Sequence, residues 1–318
     1  MERGLAVFLC AVAAFVFAAC GARPAANAAT EDWRDRATHE LGEAAFGHAA
    51  AFVALGPKRV GTDEIRRAAE WIRSVLLDNG IRAEIDGFSD ATPAGEMAFS
   101  NVAATIPAAG RPRGKKPPIV ILGAHYDTKS GIENFVGAND SASGVGALLA
   151  LAPVLAEAGL PFETRLLFFD GEESLRYYAA NDGLHGSRHA AAALSAEEAG
   201  RVVAMILLDM VGDRDLRVDL ERKTDKGLAR RILRAAEKEG VREHFAVARG
   251  DFGLIDDHVP FRARGIPCAD LCDFEYGEGR NAFWHTAEDT LDKISAASLG
   301  AVLKAVERVL YDLAKETP

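Results

Sequence analysis

Positive charge is in short supply in this sequence of 318 residues. Lysine and arginine together number 37, against 47 aspartates and glutamates, so the formal net charge is -10 at pH 7. Binding to nucleic acid or to an anionic membrane surface needs a basic patch, and we therefore expect neither as a partner. The acidic excess is compatible with a functional site that is built from carboxylates.

Cysteine is also scarce. The sequence has four, and two of them fall in the N-terminal segment, which leaves Cys268 and Cys272 as the only thiols beyond it. On one strand their α-carbons would lie roughly 13 Å apart, too far for a disulfide, whereas a loop at Cys272 would permit one. Two cysteines alone are weak evidence for a zinc site.

The sequence lacks a convincing transmembrane segment. The N-terminal apolar run from Gly4 to Ala19 follows Arg3 and is shorter than the roughly 20 residues that a membrane-spanning helix needs. Such a run is typical of a secretory signal. We therefore expect residues 1–28 to be a signal peptide and the protein to be exported, to the periplasm or the envelope of a bacterium.

Two processing sites compete within this leader. Phe17-Ala18-Ala19-Cys20 resembles a lipobox with an unusual first residue, and we favour this lipoprotein interpretation, in which a lipid at Cys20 is the only membrane attachment. Ala26-Asn27-Ala28 suits ordinary signal peptidase instead. An uncleaved membrane anchor is the least favoured alternative.

No repeat, low-complexity stretch or break in composition divides the rest of the chain, and 49% of the residues are hydrophobic, enough for a sizeable core. We expect residues 30–318 to form one domain. Strand and helix patterns alternate from Ile119 onward, which is typical of an α/β fold.

Periodicity and capping residues predict the individual elements. The predicted helices are Asp32 to Leu55, one capped by Thr62 and ended by Gly80, Ala142 to Ala158, one after Gly186, one with a capping box at Ser195 and Glu198, Lys226 to Glu239, one after His258, and Ser295 to Lys315. The predicted strands are an edge ribbon of Ile81 to Phe88 and Phe99 to Ile106, then Ile119 to Gly123, Leu166 to Phe169 and Val203 to Leu208.

One strand leads directly into two adjacent carboxylates. The continuous apolar run from Leu166 to Phe169 indicates a strand covered on both faces, and Gly171 allows a sharp turn into Glu172 and Glu173. In open α/β sheets, ligands bind beyond the carboxyl ends of strands. Because adjacent carboxylates repel each other, we expect a metal ion beside them; a solvated acidic turn is the alternative.

Further metal-ligand residue types follow other apolar runs or turns. His125 and Asp127 end one strand, Asp209 ends another, and an apolar segment up to Phe283-Trp284 leads into His285. Imidazole and carboxylate together suit zinc, and Asp127 could accept the second imidazole N–H of His125 and fix its tautomer. The candidate zinc ligands are His125, Asp140, Glu173, Asp209 and His285.

Asp140 and Asp209 could also have purely structural roles, Asp140 as a helix cap and Asp209 as a turn residue.

Glu172, next to a ligand but not needed as one, is the natural general base, because burial and acidic neighbours should raise its pKa toward neutrality. Asp256, in the run I-D-D-H, could hydrogen-bond to Glu172.

A series of motifs then connects the sequence to a known family. A-H-Y-D-T-K, G-A-N-D-S-A, F-F-D-G-E-E, G-L-H-G-S-R-H, L-L-D-M-V-G, I-D-D-H-V-P-F and F-W-H-T-A-E-D-T occur in the order and spacing of the co-catalytic zinc aminopeptidases, metallopeptidase family twenty-eight. From Arg59 to Leu313 the chain resembles this family, and several motifs are closer to its glutaminyl cyclase branch. The resemblance implies a phosphorylase/hydrolase-like three-layer sandwich, with a mixed, mainly parallel central sheet flanked by helices.

The resemblance also implies roles for individual residues. In the cyclase branch, Asp140, Glu173 and His285 bind zinc, Glu172 shuttles the proton with Asp209 and Asp256 as hydrogen-bond partners, and Trp284 shapes the pocket. In the aminopeptidase branch, His125 and Asp209 bind a second zinc and Asp140 bridges both ions, so one or two zinc ions remain open. Two substrate-binding positions depart from the animal cyclases, which carry Trp where Tyr178 stands and Gln where Ile255 stands.

The function that follows is zinc-dependent cyclisation of N-terminal glutamine, on peptides or proteins, to pyroglutamate with release of ammonia. The alternative is an aminopeptidase, in which Glu172 deprotonates a water molecule that releases the N-terminal residue. A third class is a zinc-binding interaction domain without turnover, which retention of all the ligands disfavours.

Overall fold

A computed structural model describes residues 38–110, 114, 116–248, 253–278 and 281–317. The predicted signal peptide, the processing sites around Cys20 and the start of the helix predicted from Asp32 lie outside these residues. Among the helices of the described part, none combines the length and apolar character that crossing a membrane requires.

The described part contains helices and strands in alternation over most of its length. The helices are α1 Thr38–Val53, α2 Asp63–Asp78, α3 Ala142–Ala158, α4 His185–Ala193, α5 Ala196–Arg201, α6 Lys226–Lys238, α7 His258–Ala263 and α8 Ala296–Glu316. The strands are β1 Ala83–Thr92, β2 Gly95–Ile106, β3 Ile119–His125, β4 Glu163–Phe169, β5 Val202–Asp209, β6 Val218–Leu220, β7 Phe245–Val247 and β8 Cys268–Cys272.

The central sheet has the strand order β1-β2-β4-β3-β5-β8. Strands β4, β3, β5 and β8 run parallel to one another, whereas β2 runs antiparallel to both β1 and β4. The mixed, mainly parallel sheet is therefore confirmed, and so is the edge ribbon, since β1 and β2 form a hairpin at one side. Strands β6 and β7 pair separately.

Alternation along the buried strands divides the core into two layers. On β3, Val120 and Leu122 belong to one layer with residues of α1, α2, α3, α6 and α8, whereas Ile119 and Ile121 belong to the other with residues of α4 and α7. Side chains of a strand point alternately to its two faces, so a strand that is apolar throughout must be covered on both. Helices on both faces complete the predicted three-layer sandwich.

Local sequence signals place several helices as predicted. Thr62 caps α2 by accepting from the Ile65 amide at 3.4 Å, and Ser195 with Glu198 forms the capping box of α5. The bounds of α3 agree with the prediction, while α1 ends at Val53, before the predicted Leu55. Capping and amphipathic spacing are local properties, which is why the sequence reports them well.

One strand prediction is wrong. The apolar residues Phe283 and Trp284 do not end a strand: the last strand, β8, ends at Cys272, and the chain then leaves the sheet. The two side chains pack instead in a small aromatic cluster, with ring centroids of Phe283 and Tyr276 5.4 Å apart and those of Trp284 and Phe274 5.1 Å apart. A short apolar run marks burial, but it does not distinguish a strand from a packed loop.

Cys268 and Cys272 both lie within β8 and are free, buried thiols. Their positions on one strand leave them too far apart for a disulfide, as the strand alternative predicts.

Candidate metal centre and active site

The candidate residues meet because neighbouring parallel strands end at the same edge of the sheet. His125 is the last residue of β3, Asp209 is the last residue of β5, and Glu172 and Glu173 follow the turn after β4. Since the sheet order is β4-β3-β5, these side chains reach one rim of the fold.

Asp140, Glu173 and His285 form the first group of possible metal ligands. The Nε2 atom of His285 lies 2.8 Å from Oε1 of Glu173 and 3.3 Å from Oδ2 of Asp140. One ligand atom from each of the three lies within 4.8 Å of the others. His285 reaches this position from a turn rather than from a strand end, with a left-handed φ of 54°.

A second group shares Asp140 with the first. Nε2 of His125 lies 3.1 Å from Oδ1 of Asp140 and 3.2 Å from Oδ1 of Asp209. The carboxylate of Asp140 therefore stands between two imidazoles, one on each side. The five residues singled out in the sequence as ligand candidates all converge.

The charges in this centre call for a cation. Burial alone would lower the pKa of His285, but Asp140 and Glu173 outweigh it and raise the pKa to about 9. Burial likewise favours neutral Asp140, yet hydrogen bonds from His125 and His285 lower its pKa. Burial, then the charge of Asp140, raises the pKa of Glu173. Carboxylates packed this closely in a low-dielectric site bind either protons or a metal ion.

The residues present fit a metal ion such as zinc. Oε2 of Glu173 is buried and has no hydrogen-bond partner among the described residues, although Nζ of Lys129 lies 3.3 Å away. Imidazole nitrogen with carboxylate oxygen is a common donor set for catalytic zinc. Lys129 escaped notice in the sequence because nothing local marks the lysine of A-H-Y-D-T-K.

The turn that carries Asp140 requires a glycine. Gly137 has a φ of 62°, and a Cβ atom there would lie 1.9 Å from the carbonyl oxygen of Asp140. The Ala142 amide closes the turn by donating to the Gly137 carbonyl oxygen at 3.0 Å. The glycine of G-A-N-D-S-A therefore has a steric reason.

Glu172 lies beside the metal centre and is 5% exposed. Its carboxylate accepts hydrogen bonds from the Tyr178 hydroxyl at 2.9 Å and 3.1 Å. Burial, followed by the charge of Glu173, raises the pKa of Glu172 well above the usual range. A buried carboxylate with a raised pKa is suited to general acid–base chemistry.

Asp127 lies between His125 and the two glutamates. Its Oδ1 is 3.4 Å from Nδ1 of His125, longer than a typical hydrogen bond, but its carboxylate accepts from the amides of Glu172 at 3.1 Å and Glu173 at 3.2 Å. It therefore holds the backbone of the glutamate pair in addition to facing the imidazole. That second contact was not expected from the sequence.

The expected hydrogen bonds from Glu172 to Asp209 and Asp256 are not seen. Within the described residues, the hydrogen bonds of the Glu172 carboxylate go to Tyr178, while Oδ1 of Asp256 accepts from the Asp257 amide at 2.6 Å. Asp209 faces His125 instead. Tyr178, expected to contact substrate, thus holds the candidate base.

A cavity of about 250 Å³ opens onto the centre. Its lining residues are Asp140, Glu172, Glu173, Tyr178, Asp209, Gly253, Leu254, Ile255, Asp256, Cys272, Phe274, Trp284 and His285. Trp284 and Ile255, both predicted from the sequence to contact substrate, are among these lining residues, and Ile255 is 56% exposed. Trp284 also stacks on His285, with ring centroids 4.0 Å apart. Leu254 and Phe274 were missed, because loop residues carry no periodic signal.

A second buried network lies behind Asp256. One ligand atom each from Asp256, His258 and Asp270 lies within 4.8 Å of the others, and Nε2 of His258 is 2.8 Å from Oε1 of Glu221. His258 follows directly from the I-D-D-H motif, whereas Asp270 lies on β8 and Glu221 follows β6. Only the folded sheet brings these elements together.

Comparison with known proteins agrees with this geometry. The family model described as Peptidase family M28 matches residues 101–310. A glutaminyl-peptide cyclotransferase of Drosophila melanogaster is 30% identical over 279 residues, which cover 77% of this chain and 73% of that protein. A glutaminyl-peptide cyclotransferase-like protein of Bos taurus is 33% identical over 263 residues, which cover 74% of this chain and 65% of that protein.

Solved structures show the same fold. A glutaminyl cyclase from an Acidobacteriales bacterium superposes with a TM-score of 0.79 at 32% identity, covering 86% of this chain and 95% of that one. A Porphyromonas gingivalis glutaminyl cyclase gives 0.74 at 27% identity, covering 86% and 98%. A structure described as a leucine aminopeptidase precursor from Bacteroides thetaiotaomicron gives 0.71 at 25% identity, covering 85% and 97%.

Proposed function

The chain belongs to the glutaminyl cyclase branch of peptidase family M28, and on this basis we propose that it is a zinc-dependent glutaminyl-peptide cyclotransferase. Its substrates would be peptides or proteins that begin with glutamine, and its products an N-terminal pyroglutamyl group and ammonia. The observation that carries the proposal is the buried Glu172 carboxylate beside the ligand group of Asp140, Glu173 and His285, in one cavity.

Asp140, Glu173 and His285 would hold the zinc ion. Bound there, zinc would act as a Lewis acid on the side-chain amide of the substrate glutamine. The second group, in which His125 and Asp209 share Asp140, could hold a further ion, so the proposal covers one zinc ion or two.

Glu172 would carry the proton through the reaction. As the substrate α-amine attacks the side-chain carbonyl carbon and the ring C–N bond forms, Glu172 accepts a proton from that nitrogen. It then delivers a proton to the departing amide nitrogen, which leaves as ammonia when the original C–N bond breaks. The hydroxyl of Tyr178 keeps the carboxylate in one orientation throughout.

The walls of the cavity favour ring closure over hydrolysis. Leu254, Phe274 and Trp284 present apolar surface to the bound side chain, which limits access of water. Ile255 stands exposed at the same cavity and would contact the residue that follows the glutamine.

An aminopeptidase is the second candidate. The group of His125, Asp140 and Asp209 supports it, because a centre for two metal ions is the arrangement used for hydrolysis in the aminopeptidase branch. Glu172 would then take a proton from a water molecule, and the peptide bond of the N-terminal residue would break.

One experiment separates the candidates. The zinc-loaded protein is incubated with a peptide that begins with glutamine and, separately, with an amino-acid anilide; ammonia, peptide mass and free aniline are recorded. Ammonia release with the mass loss of cyclisation supports the cyclotransferase. Release of aniline without cyclisation would reject it in favour of the aminopeptidase, and no turnover of either substrate would leave a binding domain.

We also propose the extent of the catalytic domain and its export from the cytoplasm. Residues 30–318 would form one catalytic domain, which the close packing of its end helices supports: a Cβ atom on Gly42 of α1 would lie 2.3 Å from the Ala296 carbonyl oxygen of α8. Residues 1–28 would act as the export signal. Cleavage before Cys20 would leave that cysteine lipidated in the envelope, whereas cleavage after Ala28 would remove it. A mass spectrum of the mature N-terminus from bacterial membranes tests this, and an unmodified N-terminus at Ala29 would exclude the lipid.

A further inference from the structure

One buried carboxylate, Asp289, holds the turn that carries Asp140. Three consecutive backbone amides of that turn donate to this residue. The Ala138 amide donates to the Asp289 carbonyl oxygen at 3.3 Å, the Asn139 amide to Oδ1 at 2.8 Å and the Asp140 amide to Oδ2 at 3.1 Å. Asp289 is 0% exposed, so water does not replace these contacts.

Asp289 and His285 lie in two consecutive turns that share Thr286. The Thr286 amide donates to the Phe283 carbonyl oxygen at 3.2 Å, and the Asp289 amide donates to the Thr286 carbonyl oxygen at 3.2 Å. These bonds fold the segment from Phe283 to Asp289 into a compact unit. Asp289 therefore connects a segment that holds one candidate ligand, His285, to the turn that holds another, Asp140.

Two further side chains support Asp289 from outside the turn. The buried Tyr276 hydroxyl donates to Oδ1 of Asp289 at 2.6 Å. Lys58 is fully buried, and its Nζ donates to the Val136 carbonyl oxygen at 3.1 Å. Burial lowers the pKa of Lys58 to about 7, and the negative charge of Asp289 opposes that shift. The turn from Val136 to Asp140 is thus held at both ends.

We propose that Asp289 is a positioning residue for the metal centre, which sets the separation between Asp140 and His285. This inference rests on the proposed zinc site. Partners behind a metal ligand orient it, and losing one typically costs roughly 10–100-fold in metal affinity or activity. Asp289 orients Asp140 by accepting a hydrogen bond from the Asp140 backbone amide. Loss of the Asp289 carboxylate would therefore displace Asp140 without removing a metal ligand.

Asp289→Asn tests the proposal with little change in shape. The amide group of asparagine has one acceptor oxygen, so at least one amide of Asn139 and Asp140 loses its partner and is left buried. We expect the zinc dissociation constant, measured by competition with a chelator, to rise roughly 10–100-fold. Tyr276→Phe, which removes one donor to Asp289, should raise it by a smaller factor.

Asp273→Asn is the matched control. The Asp273 carboxylate is equally buried and accepts from the amides of Arg217 at 2.6 Å and Glu275 at 3.0 Å. The substitution removes the same kind of bond, so the thermal stability of the metal-free protein should fall while zinc affinity stays near that of the wild type. The absorption spectrum of the cobalt-substituted protein should change for Asp289→Asn and not for this control.

These measurements distinguish failure of the proposed zinc site from failure of the proposed role of Asp289. Wild-type protein that binds no zinc would reject the proposed metal site. If the wild type binds zinc, an Asp289→Asn variant with unchanged affinity and an unchanged cobalt spectrum, or with no greater change than Asp273→Asn, overturns the positioning role. If Asp289→Asn does not fold, Tyr276→Phe decides, and unaltered zinc affinity in that variant overturns the role.

Discussion

The hydroxyl of Tyr178 donates to both carboxylate oxygens of Glu172, at 2.9 Å and 3.1 Å. Burial and the neighbouring charge of Glu173 raise the pKa of Glu172, which favours its protonated form. A hydroxyl donor acts in the opposite direction, because it stabilises the carboxylate. Tyr178 therefore opposes the upward shift in the pKa of Glu172, and it also fixes the orientation of that group.

Tyr178→Phe should lower kcat while KM changes little. A hydrogen bond to a charged group contributes about 1.5–3 kcal/mol, so a loss of roughly 10–100-fold in kcat is expected if the bond persists in the transition state. Without the donor the pKa of Glu172 rises further, so the acid limb of the rate profile should move to higher pH. Steady-state kinetics across pH measures both effects.

The neighbouring tyrosine provides the control for this prediction. Tyr177 is 71% exposed, and Tyr177→Phe should leave kcat and the pH profile unaltered. Equal effects of the two substitutions, or an unmoved acid limb in Tyr178→Phe, would contradict the role assigned to the hydroxyl.

Glu172→Gln should abolish most turnover and leave metal binding intact. The amide has nearly the same shape as the carboxylate but does not accept and return a proton, and general acid–base groups typically contribute 10²–10⁴-fold to the rate. Ammonia release and zinc content are measured on the same preparation. Full activity in this variant would falsify the assignment of Glu172 as the proton carrier.

His285→Ala should release the metal. The substitution removes one of three ligand side chains, so zinc affinity should fall by more than the roughly 10–100-fold that loss of an outer partner costs. Zinc per protein after dialysis is the measurement. His189→Ala serves as the control, because His189 pairs with Asp86 of β1 at 3.0 Å and should retain the wild-type zinc content. A stoichiometric zinc ion in His285→Ala would place the ion elsewhere.

Zinc affinity should weaken as the pH falls. Without metal, the pKa of His285 is raised to about 9, so below that pH zinc must displace a proton from the imidazole. The apparent dissociation constant should then rise by up to tenfold for each pH unit and each proton displaced, between about pH 8.5 and pH 6.5. Chelator competition, corrected for protonation of the chelator, measures this. A constant that is flat over that range would show that no proton is exchanged.

Most of the fold could be predicted from local patterns. The apolar run of β4 and the cap at Thr62 each report a short stretch of backbone, and the structure has the expected element at both places. The segment before His285 misled for the same reason, because Phe283 and Trp284 are apolar neighbours that pack in a loop cluster instead of a sheet. Apolar character fixes burial, whereas sheet pairing depends on distant residues.

In the candidate site, the sequence identified the possible metal ligands but not the residues that hold them in place. His125, Asp140, Glu173, Asp209 and His285 were identifiable because each is a ligand type in a motif, and they converge in the structure. Their partners were not identifiable. Asp289 stands in the motif F-W-H-T-A-E-D-T, yet its contact with Asn139 spans 150 positions of the chain. The sequence predicted a hydrogen bond between Asp256 and Glu172, but in the structure the hydroxyl of Tyr178 donates to the Glu172 carboxylate instead.

The sequence by itself determined the family, the helices and the first five strands along the chain, and the residue types available for chemistry, since these depend on local pattern and motif. It did not predict β6, β7 and β8. The tertiary structure alone decided which group each of those residues touches. The strand order β4-β3-β5 gathers His125, Asp209 and the glutamate pair at one rim, and buried hydrogen bonds between distant loops then fix their partners. Such contacts form only when the whole sheet is assembled, because each partner alone is too weakly held to stay in place.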